Sequence, residues 1–290
     1  MTAARAAGPA GDERSPDRLF AIGVARAFGA AILFSLPLLM TMEMWSLGFY
    51  MNRLRLALLM VAIVPLLIGV DHYSGFKETA TWLGDAVDAM VAYGVGIVTS
   101  GVILTVLGIV NLEMPLREIV GKVALQAVPA SFGAVLAASQ LSGGDRAGGE
   151  DGGNTGDGKR SGYRVGLLFM LAGAVFLAFN VAPTEEMILI AFGMTPWHGL
   201  VLMALSLLLM HGFVYAMEFR GAPQRHPGVS GTALFLRFTV VGYAISLAVS
   251  AYVLWTFGRF GDEAMAMHVM KTIVLAFPAS LGAAAARLIL

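Results

Sequence analysis

The sequence predicts an all-α fold: a polytopic membrane protein of about eight transmembrane helices, built from two parallel four-helix repeats. Three observations predict it. First, 58% of the 290 residues are hydrophobic and 13% are charged, with a mean hydropathy of +0.77. Soluble domains carry about 25% charge, so this chain cannot cover a globule with polar surface and belongs in a bilayer. Second, apolar runs long enough for helical spans, which need about 20 residues, recur from Leu19 onward. Third, two motifs occur twice in the same order. Thr41-Met42-Glu43-Met44 returns as Thr184-Glu185-Glu186-Met187. The segment from Lys122 to Pro129-Ala130-Ser131-Phe132-Gly133-Ala134 returns as Lys271 to Pro278-Ala279-Ser280-Leu281-Gly282-Ala283. The offset is 143 residues at the first motif and 149 at the second, a difference that one short loop insertion produces.

Residues 1–18 are a polar tail rich in Ala, Gly, Arg and Asp. The apolar run after it is too long for a signal-peptide core and shows no persuasive cleavage site, so it reads as a retained first span. That span runs from Leu19 to Met51 and is interrupted by Arg26 and Glu43. Asn52-Arg53-Leu54-Arg55 closes it, and Leu56–Val70 is a second, short span. Asp71–Thr81 is a polar connection, Leu83–Leu112 the third span, Glu113–Glu118 a turn, and Ile119–Leu141 the fourth span. Residues 142–162 are Gly-rich and mixed in charge, with nothing to bury a face, and read as a flexible cytoplasmic linker. They lack the spacing of a calcium loop. The pattern then restarts across 163–290 as a second repeat. Its spans are Tyr163–Gly193, Leu200–Met217, Thr232–Phe257 and Met265–Leu290, with a Thr195-Pro196-Trp197 turn and a polar loop over 218–230.

Each repeat, 19–141 and 163–290, holds an even number of spans, so both enter the bilayer from the same side and the pseudo-twofold lies along the membrane normal. Ten Lys and Arg flank the side of the N-terminus and linker, against six on the other. By the positive-inside rule both termini are expected in the cytoplasm.

Composition also excludes. Net charge is zero, which argues against a nucleic-acid partner. There is no cysteine, so disulfides, thiol catalysis and zinc–thiolate sites are ruled out. No HExxH, GxSxG or P-loop is present, so the chain reads as a non-enzyme without a cofactor. The expected partners are the lipid bilayer and a small cation or proton. A homo-oligomer is left open, since no surface signal marks one.

The costly residues are the candidate site. A charged side chain at bilayer depth costs roughly 3 kcal/mol, yet Glu43, Glu185 and Glu186 stand inside apolar runs. A helix over Tyr163–Gly193 would be about 46 Å long, well beyond a core of about 30 Å. Pro183 breaks it, Asn180 can serve the freed carbonyls, and Thr184 is a natural N-cap for a new piece starting at the glutamates. Pro37, four residues before Thr41, can act in the same way. A broken helix with acids at the break is one way to hold a cation near the midplane, and carboxylates suit a hard ion or a proton. Glu43 and Glu186 are therefore also the candidate metal ligands. The bland alternative makes each acid an interfacial helix-end residue. Asp85 and Asp88 share one face near the start of span three, where the macrodipole favours acids. The 149-residue offset sets Arg237 opposite Asp88, and a charge that deep should pair, with Asp88 or Asp85 as partner. His72 and His211 read as packed or interfacial residues, and the Pro-Ala-Ser segments as close-packing devices.

The duplicated architecture, the Thr-x-Glu-Met copies and the Gly-rich centre resemble a bacterial family of integral membrane proteins known only as a domain of unknown function, across about residues 18–290. The resemblance implies a bacterial inner-membrane location and supplies no activity. In outline the chain is also similar to small duplicated cation transporters, though it lacks the Glu-x-Gly-Asp-Lys motif of one such group. The expected function is a proton-coupled secondary transporter for a cation. A passive ion channel and a structural or sensing protein without flux are the alternatives.

Overall fold

The computed structural model of the chain describes residues 16–74, 82–142, 156–218 and 235–289. Among these residues there is no strand. The helices are α1 (Pro16–Leu39), α2 (Met42–Tyr50), α3 (Arg53–Ser74), α4 (Trp82–Val106) and α5 (Leu116–Ser142), followed by α6 (Gly156–Val181), α7 (Glu185–Gly193) and α8 (Pro196–Glu218). A π-helical turn, Phe235–Val240, leads into α9 (Val241–Thr256), and α10 (Met265–Ile289) ends the chain. Among the described residues, eight helical segments are long and apolar enough to cross a membrane. The other two, α2 and α7, have nine residues each. At about 14 Å they cannot span a core of about 30 Å. The order long, short, long, long, long thus occurs twice along the chain.

The span count expected from the sequence holds, and several boundaries move for local reasons. The run Leu19–Met51 is two helices, because the chain is extended at Thr41 (φ −96°, ψ 115°). Pro37 lies inside α1 and does not end it. The third span stops at Val106, six residues before Leu112. Gly108 takes φ +72° there, and the Ile109 and Gly108 N–H groups donate to the Leu104 and Thr105 carbonyls at 2.9 and 3.0 Å. A left-handed residue with this bond pair is a Schellman stop, and glycine adopts it without a Cβ penalty. Gly258 (φ +69°) ends α9 in the same way, with Arg259 donating to Leu254 at 2.8 Å and Gly258 to Trp255 at 3.1 Å. Leu116, Arg117 and Glu118, expected in a turn, are the first residues of α5. Pro196 starts α8, where its missing N–H would have had no helical partner anyway. Residues 156–162 of the expected linker are helical, as the opening of α6, while 143–155 lie outside the described residues.

Two helices organise the packing. α5 contacts α1, α2, α3 and α4, and α10 contacts α6, α7, α8 and α9. Backbones meet where side chains vanish. A Cβ on Gly133 would run into the Ala30 carbonyl of α1, and one on Gly282 into the Gly173 carbonyl of α6. Without a hydrophobic drive between spans in lipid, such small-residue approaches supply the dispersion that holds helices together. The bundles touch mainly along α3 and α6. Leu168 packs over Gly69, and Phe34 meets Phe176 edge-to-face at 5.4 Å. Arg55 of α3 donates to the Trp255 carbonyl at 2.7 Å, with its guanidinium 4.8 Å from the Trp255 ring centre.

Candidate functional site

Each short helix begins at a break carrying the expected acids. Thr41 and Thr184 occupy the N-cap positions of α2 and α7, both with extended backbone. Their hydroxyls do not cap. Thr41 Oγ1 donates backward to the Pro37 carbonyl at 2.6 Å, and Thr184 Oγ1 to Val181 at 2.8 Å. The preceding helix has just lost partners for its last carbonyls, and a threonine hydroxyl satisfies one of them. Asn180 Nδ2 donates to the Phe176 carbonyl at 2.8 Å, one turn back inside α6 rather than to a carbonyl freed by Pro183, and Arg259 donates to the carbonyl of Pro183. Trp45 Nε1 closes the end of α1 by donating to Leu39 at 2.8 Å. The acids sit in the first turns of α2 and α7, where the positive end of the helix dipole favours them. Glu43 is half-buried, whereas Glu185 and Glu186 are exposed on the bundle surface.

Beside these breaks lie two buried ammonium groups that the sequence presented only as register markers. Lys122 is 8% exposed and Lys271 2%, so each needs anionic or carbonyl partners to stay charged. Lys122 Nζ is 2.6 Å from Glu118 Oε1, one turn back along α5, and 3.4 Å from the Ile109 carbonyl. Lys271 Nζ is 2.7 Å from Glu263 Oε1 and 2.9 Å from the Arg259 carbonyl. Ile109 and Arg259 are the residues immediately after the left-handed glycines, so each lysine neutralises the carbonyl end of the preceding span. The Lys271 ammonium also lies 5.3 Å from the Phe192 ring of α7. Glu263 accepts from the Gly261 N–H at 2.9 Å and faces His268 Nε2 at 3.4 Å. Lys271 holds its carboxyl well below the usual range, at about 2. A glutamate in the first turn or just ahead of a span, with a lysine one or two turns inside it, was the readable signal for both pairs.

Of the remaining expected residues, Asp85 and Asp88 lie near the start of α4 and Arg237 in the π-helical turn ahead of α9. Asp85 is buried and meets His72 Nδ1 at 2.6 Å, and His72 stacks on Trp82 with ring centres 4.5 Å apart. Asp88 is half-buried one turn along α4. Arg237 is exposed in the π-helical turn, with its carbonyl accepting from Tyr163 Oη at 3.1 Å. Asp85 faces α3 and takes His72 as its partner. His211 Nδ1 lies 3.0 Å from Thr239 Oγ1. Among the described residues no three His, Asp or Glu side chains gather as a metal site would require.

Eight apolar spans, two short acid-tipped helices and buried lysines tied to span ends define a polytopic, all-helical integral membrane protein. The family model described as "Putative integral membrane protein (DUF2391)" matches residues 23–290, and the chain belongs to that family. Comparison with curated proteins and with solved structures returns no match.

Proposed function

We propose that the protein is a proton-coupled secondary transporter for a small cation, with Glu43 and Glu186 as its site carboxylates and Glu185 beside them. The observation that carries the reading is the pair of breaks. Two apolar runs stop at a threonine immediately ahead of a nine-residue, acid-bearing helix, and each short helix packs on a central span that contains a buried lysine. Helices broken at acids are how many transporters offer oxygen ligands to a cation, and a carboxylate that binds an ion can also exchange a proton. The motif offsets and the twice-repeated helix order support a duplicated chain with its pseudo-twofold along the membrane normal. The Lys/Arg distribution supports cytoplasmic termini, and the family resemblance implies a bacterial inner membrane. The reading is of a non-catalytic protein.

The test is cation and proton flux in proteoliposomes for wild type, Glu43→Gln and Glu186→Gln. Wild type should move a cation against a proton gradient, and each variant should lose at least tenfold in rate, about 1.4 kcal/mol in barrier. Absence of flux, or equal flux from the variants, sinks the proposal. The exposure of Glu185 and Glu186 favours a second reading, in which the acids are interfacial helix-end residues of a membrane protein without flux. The same assay separates the two.

A further inference from the structure

We infer that one sodium ion binds between α1, α4 and α5, ligated by Gln126 Oε1, Thr99 Oγ1 and Ser100 Oγ. The three helices pack on one another. Gln126 is 1% exposed, and Thr99 and Ser100 are fully enclosed. None of these three oxygens has a hydrogen-bond partner among the described residues. Buried polar atoms are rarely left unpaired, and three at one place call for a ligand. They stand at one level of the bundle. A Cβ on Gly96 of α4 would meet the Ala127 carbonyl and Ser131 of α5, and one on Gly101 would touch Val123. Residues 99 and 100 lie between those two contacts, and therefore level with Gln126. Gln126 also reaches α1, where its Nε2 donates to the Leu38 carbonyl at 2.8 Å. Toward the loop between α4 and α5 the layer is closed by the buried apolar cluster of Leu39, Leu104 and Val110.

Buried hydroxyls elsewhere in these spans donate to the carbonyl four residues back. Ser35, Ser131, Ser246 and Thr256 do so at 2.6, 2.6, 2.9 and 2.8 Å. Thr99 and Ser100 leave that bond unmade. The Gln126 amide is fixed in direction, because turned about it would set Oε1 against the Leu38 carbonyl, acceptor to acceptor. As it stands, its N–H draws on the carbonyl end of α1, and that aligned chain of dipoles makes Oε1 more negative. The result is a set of preoriented neutral oxygens with no carboxylate among them. Oxygen ligands suit a hard cation, and a neutral set in so enclosed a place suits a single charge better than a double one. Carbonyl ends of broken helices are also where transporters coordinate sodium, and Leu38 lies at such an end. The second half keeps one of the three oxygens. Its equivalent helix stop, Gly258, is 150 residues after Gly108, which sets Ser250 at Ser100 and Val249 at Thr99, while the lysine register sets Leu275 at Gln126. One sodium site is therefore expected, in the first half alone. Sodium is then the cation of the proposed transporter, with protons left to the glutamates, and in that respect the inference rests on the transport reading.

The experiment is a thermal-shift titration of the full-length protein in sodium-free detergent buffer, with sodium chloride against choline chloride at equal ionic strength. Sodium should raise Tm and saturate, and choline should not. Ser100→Ala and Thr99→Val each remove one oxygen with little change of volume, so both should fold, and each should weaken sodium at least tenfold. Gln126→Leu, which installs the residue of the second half, should abolish the response; if it fails to fold, the two smaller variants decide. Ser250→Ala should respond as wild type does. A wild type indifferent to sodium overturns the site and leaves the three oxygens to water. An equal response to choline overturns it too, as does unchanged sodium affinity in Ser100→Ala or Thr99→Val, or a loss in Ser250→Ala as large as in Ser100→Ala. Binding is read without flux, so the two readings fail separately. Sodium binding with no transport sinks the transporter alone, and transport of another cation by a protein indifferent to sodium sinks this site alone.

Discussion

Lys271 is the residue on which the outer end of the second bundle depends. Its ammonium is enclosed, with Glu263 and the Arg259 carbonyl as partners. Breaking a buried pair by removing one partner is far more damaging than replacing both by apolar groups of similar size. Glu263→Gln should therefore lower Tm, and Glu263→Gln with Lys271→Met should recover most of the loss. Melting curves of the two proteins in detergent check this. The pair also sets a pH dependence. The folded Glu263 carboxyl is depressed from 4.5 to about 2, so its contribution is complete above about pH 4.5 and is lost as pH falls toward 2. The Tm gap between wild type and Glu263→Gln should be constant from pH 7 to 5 and shrink below that. A gap that persists at pH 2 would mean that the pair is not the cause. Little of this was legible in the sequence. Lys271 stood out as a match to Lys122, while its function depends on a loop that folds back onto it.

At the scale of elements, the breaks at Thr41 and Thr184 were legible because Pro183, Thr184 and the acids form a local signal. The use of the threonine hydroxyls was not. Capping and back-bonding require the same residue, and which one forms depends on where the preceding helix ends. The ends of α4 and α9 depend on Gly108 and Gly258, two glycines among 35 in the chain. Composition cannot single them out. The contact between α6 and α10 makes a sharper prediction. Gly173 and Gly282 face each other, and a Cβ on either meets backbone, which cannot rotate away. Gly173→Ala and Gly282→Ala should each destabilise by about 1–3 kcal/mol, the cost of overpacking a tight interface. Gly193→Ala, where a Cβ meets nothing within 4 Å, should be close to wild type. Thermal unfolding of the three variants in one detergent decides it, and equal melting points would show that the helices have room to separate.

For the whole molecule, the membrane class and the eight spans were legible because hydropathy is additive along a chain and needs no knowledge of contacts. The joining of the halves was not. Arg55 and Trp255 are 200 residues apart, and neither looks unusual in its own segment. Orientation is open to direct measurement, since the native chain has no cysteine. Glu186→Cys should react with a membrane-impermeant maleimide added outside intact cells, and Arg164→Cys only after the membrane is opened. The reverse pattern would put the termini outside. The lysine ties at the ends of α4 and α9 bear on how the chain enters the bilayer. The charge that completes α9 arrives only with α10, and the buried Lys271, paired with Glu263, finds its second partner only in the Arg259 carbonyl at the end of α9. Neither helix is a comfortable guest by itself, so the last two spans should leave the translocon together as a hairpin, as should α4 with α5.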